Sequence, residues 1–300
     1  MDLIRKAARQ PNHLKDCDDS GVTGKLRNID TKVVSDFGKE WSQFDQSGLS
    51  PEELQKLFEA YFRVFPLERL AENAKGFDLG CGSGRWAKLV APRVSELHCI
   101  DPSTEALEVA KRNLAQYSNC HFHLAGVENI PLPDNSMDFG YSLGVLHHIP
   151  YTELGIRNCV AKLKPDAPLL LYLYYAFDNR PLWFKAIWKM SDLIRRVVAG
   201  APYPFKLAIS QIIAVLIYYP LAKVARLMER LGMRVDHFLL SAYRDKSFYT
   251  MRTDALDRFG TRLEHRFTKK AIEEMMSAAG LIKIRFSEKP PYWCAVGHKR

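Results

Sequence analysis

An aspartate and three glycines at alternate positions form the stretch of this 300-residue chain whose spacing points most directly to chemistry. The stretch reads Phe77-Asp78-Leu79-Gly80-Cys81-Gly82-Ser83-Gly84, and a helical pattern of apolar residues begins at Trp86. This order predicts a strand, a tight turn and a helix. Glycines there allow a ligand to touch the backbone, and the N–H groups that open the helix can bind its polar atoms. A turn with a purely structural role is the alternative.

The spacing of the turn excludes two kinds of phosphate site. The dinucleotide fingerprint needs a third glycine at position 85, which is arginine here, and no Lys-Ser/Thr pair follows as a P-loop requires. An alternating strand, Glu96–Asp101, closes on an acid about twenty residues past the first glycine, where doubly wound folds hold ribose hydroxyls. The turn and the acid together predict a cofactor that contains a nucleoside.

Three motifs carry a family resemblance: Asp-x-Gly-x-Gly-x-Gly at residues 78–84, the acid Asp101, and the stretch 125–131, which ends in Glu-Asn-Ile-Pro. They resemble class I S-adenosylmethionine (SAM) dependent methyltransferases of the ubiquinone and menaquinone biosynthesis type (methyltransferase type 11). The resemblance implies SAM as the cofactor. It also implies a Rossmann-like, doubly wound α/β sheet, here with a helical N-terminal cap and a helical lid insertion.

The resemblance also implies which residues hold the cofactor. Asp78 and the glycines would shape the methionine pocket, and Asp101 would hold the ribose. Glycine stands at position 126, where relatives carry an adenine-binding acid, so the adenine is expected to contact the backbone near Val127 or the side chain of Glu128. The full expected set is Asp78, Gly80, Cys81, Gly82, Gly84, Asp101, Pro102, Gly126, Val127, Glu128 and Leu143.

Four residues are candidates for a general base. His147 and His148 leave the predicted fourth strand at the edge where open α/β sheets bind ligands, and histidine can take a proton near neutral pH. A scaffold role for the pair is the alternative. Tyr249 and His265 are the other two candidates. No metal is expected, because adjacent histidines do not easily share one ion and no third ligand is apparent.

The chain divides into a cap, a core and an insertion. Residues 1–70 form an N-terminal arm and helical cap, in which Ser50-Pro51-Glu52-Glu53 is a typical helix start. Residues 71–177 and 267–300 form the SAM-binding core, closed by two strands near the C-terminus. Residues 178–266 are predicted to form a helical lid that determines substrate specificity. The cap is expected to cover the cofactor or the substrate, or only to pack on the core.

The insertion carries the excess charge of the chain, whose formal net charge is +9. From Asp178 to Lys270 there are eighteen Lys/Arg and eight Asp/Glu. Nucleic acid, an anionic membrane surface, an acidic substrate and plain solvent are all suitable neighbours for such a segment. The apolar run Leu207–Ala222 is short for a transmembrane span and contains Pro220. A lid helix packed on the core is expected, with membrane-surface attachment and self-association as alternatives.

Candidate substrate-binding residues follow the fifth strand or lie in the Tyr- and Arg-rich segment after residue 240. They are Tyr175, Arg252, Arg258 and Trp293. Arginine forks suit a carboxylate or phosphate on an acceptor. Pairing of these arginines with nearby aspartates, which would fix the lid in place, is the alternative.

The expected reaction is methyl transfer from SAM to a nucleophilic atom of a small-molecule acceptor. An RNA or protein methyltransferase that uses the basic insertion, and a non-catalytic SAM-binding interaction protein, are the alternatives. No nucleic-acid partner is expected, because no RNA-binding module is recognisable. Six scattered cysteines without a Cys-x-x-Cys pair, and an N-terminus without an apolar signal core, predict a reducing, cytoplasmic location.

Overall fold

A computed structural model describes residues 27–235 and 238–300, so the predicted N-terminal arm lies almost entirely outside the described residues. Seven strands form one sheet in the order β3-β2-β1-β4-β5-β7-β6. The strands are β1 (Lys75–Leu79), β2 (Glu96–Asp101), β3 (Cys120–Leu124), β4 (Phe139–Leu143), β5 (Pro168–Tyr172), β6 (Leu281–Phe286) and β7 (Cys294–Lys299). β1 to β5 are parallel, whereas β7 is antiparallel to both β5 and β6. The sheet confirms the predicted doubly wound α/β fold.

Ten α-helices connect or flank these strands within the described residues. They are α1 (Thr31–Gln43), α2 (Pro51–Phe62), α3 (Ala87–Val90), α4 (Thr104–Asn113), α5 (Thr152–Lys162), α6 (Leu182–Gly200), α7 (Tyr203–Ile213), α8 (Tyr219–Arg230), α9 (Phe248–Gly260) and α10 (Lys269–Ala278). A π-helical turn, Ala214–Tyr218, joins α7 to α8. Side-chain caps fix the helix starts: Ser50 Oγ accepts the Glu53 N–H at 3.2 Å, and Asp30 accepts the Lys32 and Val33 N–H groups.

Both faces of the sheet are covered by apolar side chains, as parallel strands require. Alternate residues of β2 illustrate this, because Leu97 and Cys99 pack in one core cluster and Ile100 packs in the other. A third, smaller cluster lies in the insertion, where Ile213 of α7, Tyr218 of the π-helical turn and Ala222 of α8 pack against α9. The insertion therefore has a small core of its own, which rests on α9.

The insertion differs from its prediction in two respects. Residues 241–266, interpreted from sequence as a loop rich in Tyr and Arg, contain α9, which Ser247 caps by accepting the Thr250 N–H at 3.2 Å. The apolar residues of α6 mostly face outward, rather than packing on the core. Tyr203–Arg230 is the one helical stretch in the described residues that passes a length-and-composition test for a membrane span.

Candidate functional site

The glycine turn after β1 has the backbone conformation that its sequence predicts. Gly80, Gly82 and Gly84 have φ values of 74°, 53° and 75°, a region that residues with a Cβ rarely adopt. The N–H groups of Gly80 and Cys81 donate to the Ile100 carbonyl at 2.7 and 3.1 Å, which fixes the turn to the end of β2. The turn is therefore a rigid loop at the carboxyl edge of the sheet.

Helix α1 lies directly over this turn. A Cβ added to Gly82 would stand 2.8 Å from Trp41 Nε1, and one added to Gly38 would stand 2.5 Å from Ser103 Oγ. The Arg85 guanidinium lies 4.3 Å from the ring centroid of Trp86, and 5.9 Å from that of Trp41. The cap thus closes the edge of the sheet where β1 and β2 end, as expected of a helix that covers a cofactor.

Asp101 joins the glycine turn to the start of α4. One carboxylate oxygen accepts the Gly82 N–H at 2.9 Å and the other accepts the Ser103 N–H at 2.9 Å. Burial raises the pKa of this carboxyl to about 6, against the lowering effect of those two hydrogen bonds. Because each oxygen has two acceptor positions, each can still accept one ribose hydroxyl.

Two further carboxyl groups lie at this edge, those of the buried Asp78 and the half-buried Glu128. Each has one buried oxygen without a hydrogen-bond partner in the described parts of the chain, Oδ2 of Asp78 and Oε2 of Glu128. Burial raises the pKa of Asp78 to about 8. An ammonium group such as that of a methionine would pair with the Asp78 carboxyl and restore its charge. The residues present therefore fit an aminoacyl–nucleoside cofactor: Asp78 for the amino group, Asp101 for the ribose and Glu128 for the base.

The remaining predicted cofactor residues lie at the same edge. Gly126 donates its N–H to Asn129 Oδ1 at 2.9 Å, and a Cβ there would meet Glu128 Oε2 at 2.5 Å. Cys81, Val127 and Leu143 are buried and Pro102 is half-buried. All eleven residues follow or end β1, β2, β3 or β4, so the topology collects them from four separate parts of the chain.

The histidine pair follows β4 at this edge and is buried. His148 Nδ1 lies 2.7 Å from the Leu263 carbonyl oxygen, which can only accept, so Nδ1 carries the proton. In the neutral ring Nε2 then carries the lone pair, and it has no hydrogen-bond partner among residues 27–235 and 238–300. Burial, with the neighbouring charges of His148 and Arg266, keeps the pKa of His147 well below its usual range. The two histidines thus differ: the ring of His148 is oriented so that Nε2 can accept a proton, whereas the low pKa of His147 disfavours its protonation.

One carboxyl group of α9 lies beside His148, and further buried carboxyl groups interact with it. Asp257 Oδ1 lies 3.9 Å from His148 Nε2, and the Tyr174 hydroxyl donates to Asp257 Oδ2. Burial raises the pKa of Asp257, whereas the charge of His148 lowers it. Burial, with the charges of Asp257 and Asp254, raises the pKa of Glu40 well above its usual range. Asp257 of the insertion therefore lies beside the histidine, and Glu40 of the cap interacts with Asp257.

A family model described as a methyltransferase domain matches residues 77–171. That segment contains β1 to β5, except for the first two residues of β1 and the last residue of β5. It also contains the glycine turn, Asp101 and the histidine pair. This part of the chain is therefore similar to methyltransferase domains, and the match spans about a third of the 300 residues.

Two curated relatives match the methyltransferase core only in part. An uncharacterised methyltransferase, YcgJ of Bacillus subtilis, is 32% identical over 105 residues, which are 34% of this chain and 41% of that protein. A ubiquinone biosynthesis O-methyltransferase of Haemophilus ducreyi is 31% identical over 103 residues, which are 32% of this chain and 44% of that protein. The chain thus spans less than half the length of these two relatives.

Among solved structures, the N-methyltransferase NodS of Bradyrhizobium japonicum, in complex with S-adenosylhomocysteine, matches with 18% identity and a TM-score of 0.39. The match covers 46% of this chain and 71% of that one. So weak a similarity has no bearing on substrate. The insertion, residues 178–266, lies outside the residues that the methyltransferase family model matches.

The other predicted site residues already have partners within the protein. Tyr249 accepts the Gln46 N–H at 2.8 Å, and Arg258 pairs with Glu264 at 3.0 Å. Arg252 donates to Gln211, and the Trp293 indole donates to Asp178 at 3.0 Å. Tyr175 packs on Trp293, and His265 approaches the histidine pair by donating its N–H to the His147 carbonyl at 2.9 Å. Their catalytic and substrate roles stay predictions.

Sequence reasoning missed Glu40, Trp41 and Asp257 as candidate site residues. A buried acid on a helix, such as Glu40, carries no local signal, because exposed and buried acids look alike in sequence. Asp257 accepts a hydrogen bond from Tyr174, which is far from it in the sequence, and no local pattern reveals such a contact. An indole beside a glycine-rich turn is also not a recognisable motif.

Proposed function

We propose that this protein transfers the sulfonium methyl group of SAM to a nucleophilic atom of a small-molecule acceptor. The proposal rests on two buried atoms at one edge of the sheet, Asp78 Oδ2 and His148 Nε2, neither of which has a hydrogen-bond partner in the described residues. One position suits the cofactor's amino group, and the other suits a proton that an acceptor must lose. Bound SAM would supply a methyl group on a positively charged sulfur.

The chain's own residues would hold, align and dehydrate the reactants. Asp78, Asp101 and Glu128 would bind the amino, ribose and base groups, and Trp41 on α1 would cover the turn. A displacement of this type gains most from alignment and exclusion of water, which a closed cap provides. His148 would take the proton of an acceptor hydroxyl or ammonium, and the Asp257 carboxylate would stabilise the resulting imidazolium.

Burial of the reactive groups supports a small acceptor. His147, His148 and Glu40 are 0%, 4% and 4% exposed, so a folded RNA or protein would have to displace α1 or α9 to reach them. A small molecule needs only a transient opening of the cap. Outward-facing apolar residues in the insertion also make a poor phosphate-binding surface, which disfavours RNA.

The proposal predicts that SAM and S-adenosylhomocysteine bind to the purified chain with micromolar affinity in calorimetry, whereas NAD does not bind. Asp101→Asn is expected to weaken both adenosyl ligands by roughly ten- to a hundred-fold, since charge-assisted hydrogen bonds contribute about 1.5–3 kcal/mol each. The NH2 group of the asparagine would also face a backbone N–H group, so that two hydrogen-bond donors would oppose each other. Binding of neither adenosyl ligand would refute the proposal.

Asp138→Asn is the matched control. Asp138 also accepts a backbone N–H at a strand end, that of Lys75 at 2.9 Å, but it precedes β4 at the opposite edge of the sheet. Its replacement should leave SAM affinity unchanged. Wild-type affinity should also fall as the pH drops below about 6, where Asp101 is protonated in the free protein, and the fall should be smaller in the Asn variant.

A further inference from the structure

Helix α6 buries charged side chains and exposes large apolar ones, which is the reverse of a helix on the surface of a water-soluble protein. Its buried positions include the charged pair Asp192 and Arg195, joined at 2.6 Å. Its exposed positions are large and apolar at helical spacing, and they comprise Leu182, Trp183, Ile187, Met190, Leu193, Ile194 and Val197. Soluble helices place apolar residues toward the core and charges toward water. The outer side of α6 is therefore suited to an apolar environment.

The next helical stretch, α7 to α8, repeats this inversion. Lys206 is 1% exposed and its ammonium pairs with Asp36 of α1 at 2.7 Å, and Ser210 is fully buried. The exposed apolar side chains are Phe205, Ile212, Val215, Leu216, Ile217, Tyr219, Val224, Leu227, Leu231 and Met233. α6 and α7 contact each other and both contact α9. Their apolar sides turn away from α9, and together we call them the outer face.

The outer face accounts for nearly all the exposed large apolar side chains of the described residues. Leu124, Tyr151 and Phe248 are the exposed examples that lie elsewhere. Isolated exposed apolar residues are ordinary, whereas a contiguous patch of this extent marks an interaction surface. The outer face therefore needs a partner that is itself apolar over a wide area.

Basic residues are interspersed with this apolar surface. Between residues 182 and 235 the exposed charged side chains are Lys189, Arg196, Lys223, Arg226, Glu229, Arg230 and Arg234, and only one of these is acidic. Apolar side chains flanked by Lys and Arg are the composition of helices that lie in the headgroup region of an anionic bilayer. Trp183, half exposed, is of the type enriched at that depth.

We propose that the outer face binds the surface of an anionic phospholipid membrane, with α6, α7 and α8 lying in the plane of the interface. The helices do not span the bilayer, because spanning would break the buried Lys206–Asp36 pair and place Lys206 in hydrocarbon. A second copy fits less well. A two-fold interface would bring the same cationic patch against itself.

Vesicle flotation of the full chain tests this proposal. The chain is expected to float with vesicles of 70:30 phosphatidylcholine and phosphatidylglycerol, and much less with phosphatidylcholine alone. Binding should weaken, but not vanish, as salt is raised, because only the charge contribution is screened. Val197→Glu and Leu216→Glu should each weaken partitioning by about ten-fold or more, since each removes one inserted apolar side chain.

Leu124→Glu is the matched control, because Leu124 is 61% exposed but ends β3, away from the insertion. It should float as the wild type does. The proposal is overturned if the wild type fails to float with anionic vesicles, or if all three variants float equally. A dimer formed through the outer face would also overturn the proposal. Light scattering would then show a dimer mass for the wild type and a monomer mass for Leu216→Glu, and no variant would bind vesicles.

Discussion

Replacing Glu264 with alanine is expected to lower the free energy of unfolding by about 3–5 kcal/mol, the cost of leaving buried charges unpaired. The Glu264 side chain is 2% exposed and pairs with Arg266 at 2.7 Å and with Arg258 at 3.0 Å. Arg266 in turn lies over the rings of Tyr174 and Trp188, at 4.9 and 5.1 Å. Removal of the carboxylate would leave Arg266 only its bond to the Tyr175 carbonyl at 3.3 Å, and Arg258 only weaker contacts with Ser191 and Asp192. Urea denaturation followed by circular dichroism measures the change.

The pH dependence gives a second readout of the same pairing. Burial opposes ionisation of Glu264, but the charges of Arg266 and Arg258 hold its pKa below the usual value. The pair therefore stabilises the fold above the unfolded-state pKa of about 4.3, and that contribution is lost as pH falls through the lower folded-state pKa. Glu274→Ala, at an exposed position on α10, should change the stability little. Equal losses in the two variants would rule out the proposed role of Glu264.

The sheet is the part of this fold that local sequence predicts best. The predicted bounds Glu96–Asp101 match β2, because an alternating apolar run between turn residues defines a strand without reference to its neighbours. β5 is shorter than its apolar run, which continues past Tyr172 as the chain turns toward the insertion. The start of α2 in the cap was equally predictable from sequence, because Ser50 and Pro51 are local signals of a helix N-terminus.

The insertion could not be predicted to the same degree, because periodicity reveals that a helix has an apolar side but not which way that side faces. In α6 the orientation is set by Arg195, which donates to the Thr261 carbonyl at 2.9 Å, and by Asp192 near Arg258. Both partners lie more than sixty residues away in the chain. The same holds at the site: the glycine turn and Asp101 are local motifs, whereas the contact of Asp257 with Tyr174 exists only in the folded chain.

Replacing His148 with asparagine is expected to lower kcat by about 10²- to 10⁴-fold, the usual contribution of a positioned general base. Asparagine can still donate to the Leu263 carbonyl, as Nδ1 does, but it offers no basic nitrogen at the place of Nε2. The acceptor would first be found by screening with methyl-tritiated SAM. Because His148 is not among the cofactor-binding residues, the KM for SAM should hardly change, which separates loss of a base from loss of the cofactor site.

Two further variants decide whether His148 acts as the base. Asp257→Asn keeps a partner for the Tyr174 hydroxyl but removes the charge 3.9 Å from Nε2, so kcat should fall by less than in His148→Asn. His298→Asn, at a histidine of β7 whose Nδ1 lies 2.9 Å from the Asp166 carbonyl oxygen, is the matched control and should retain full activity. If His148→Asn keeps kcat within about three-fold of the wild type, the proton leaves by another route and His148 only supports the sheet edge.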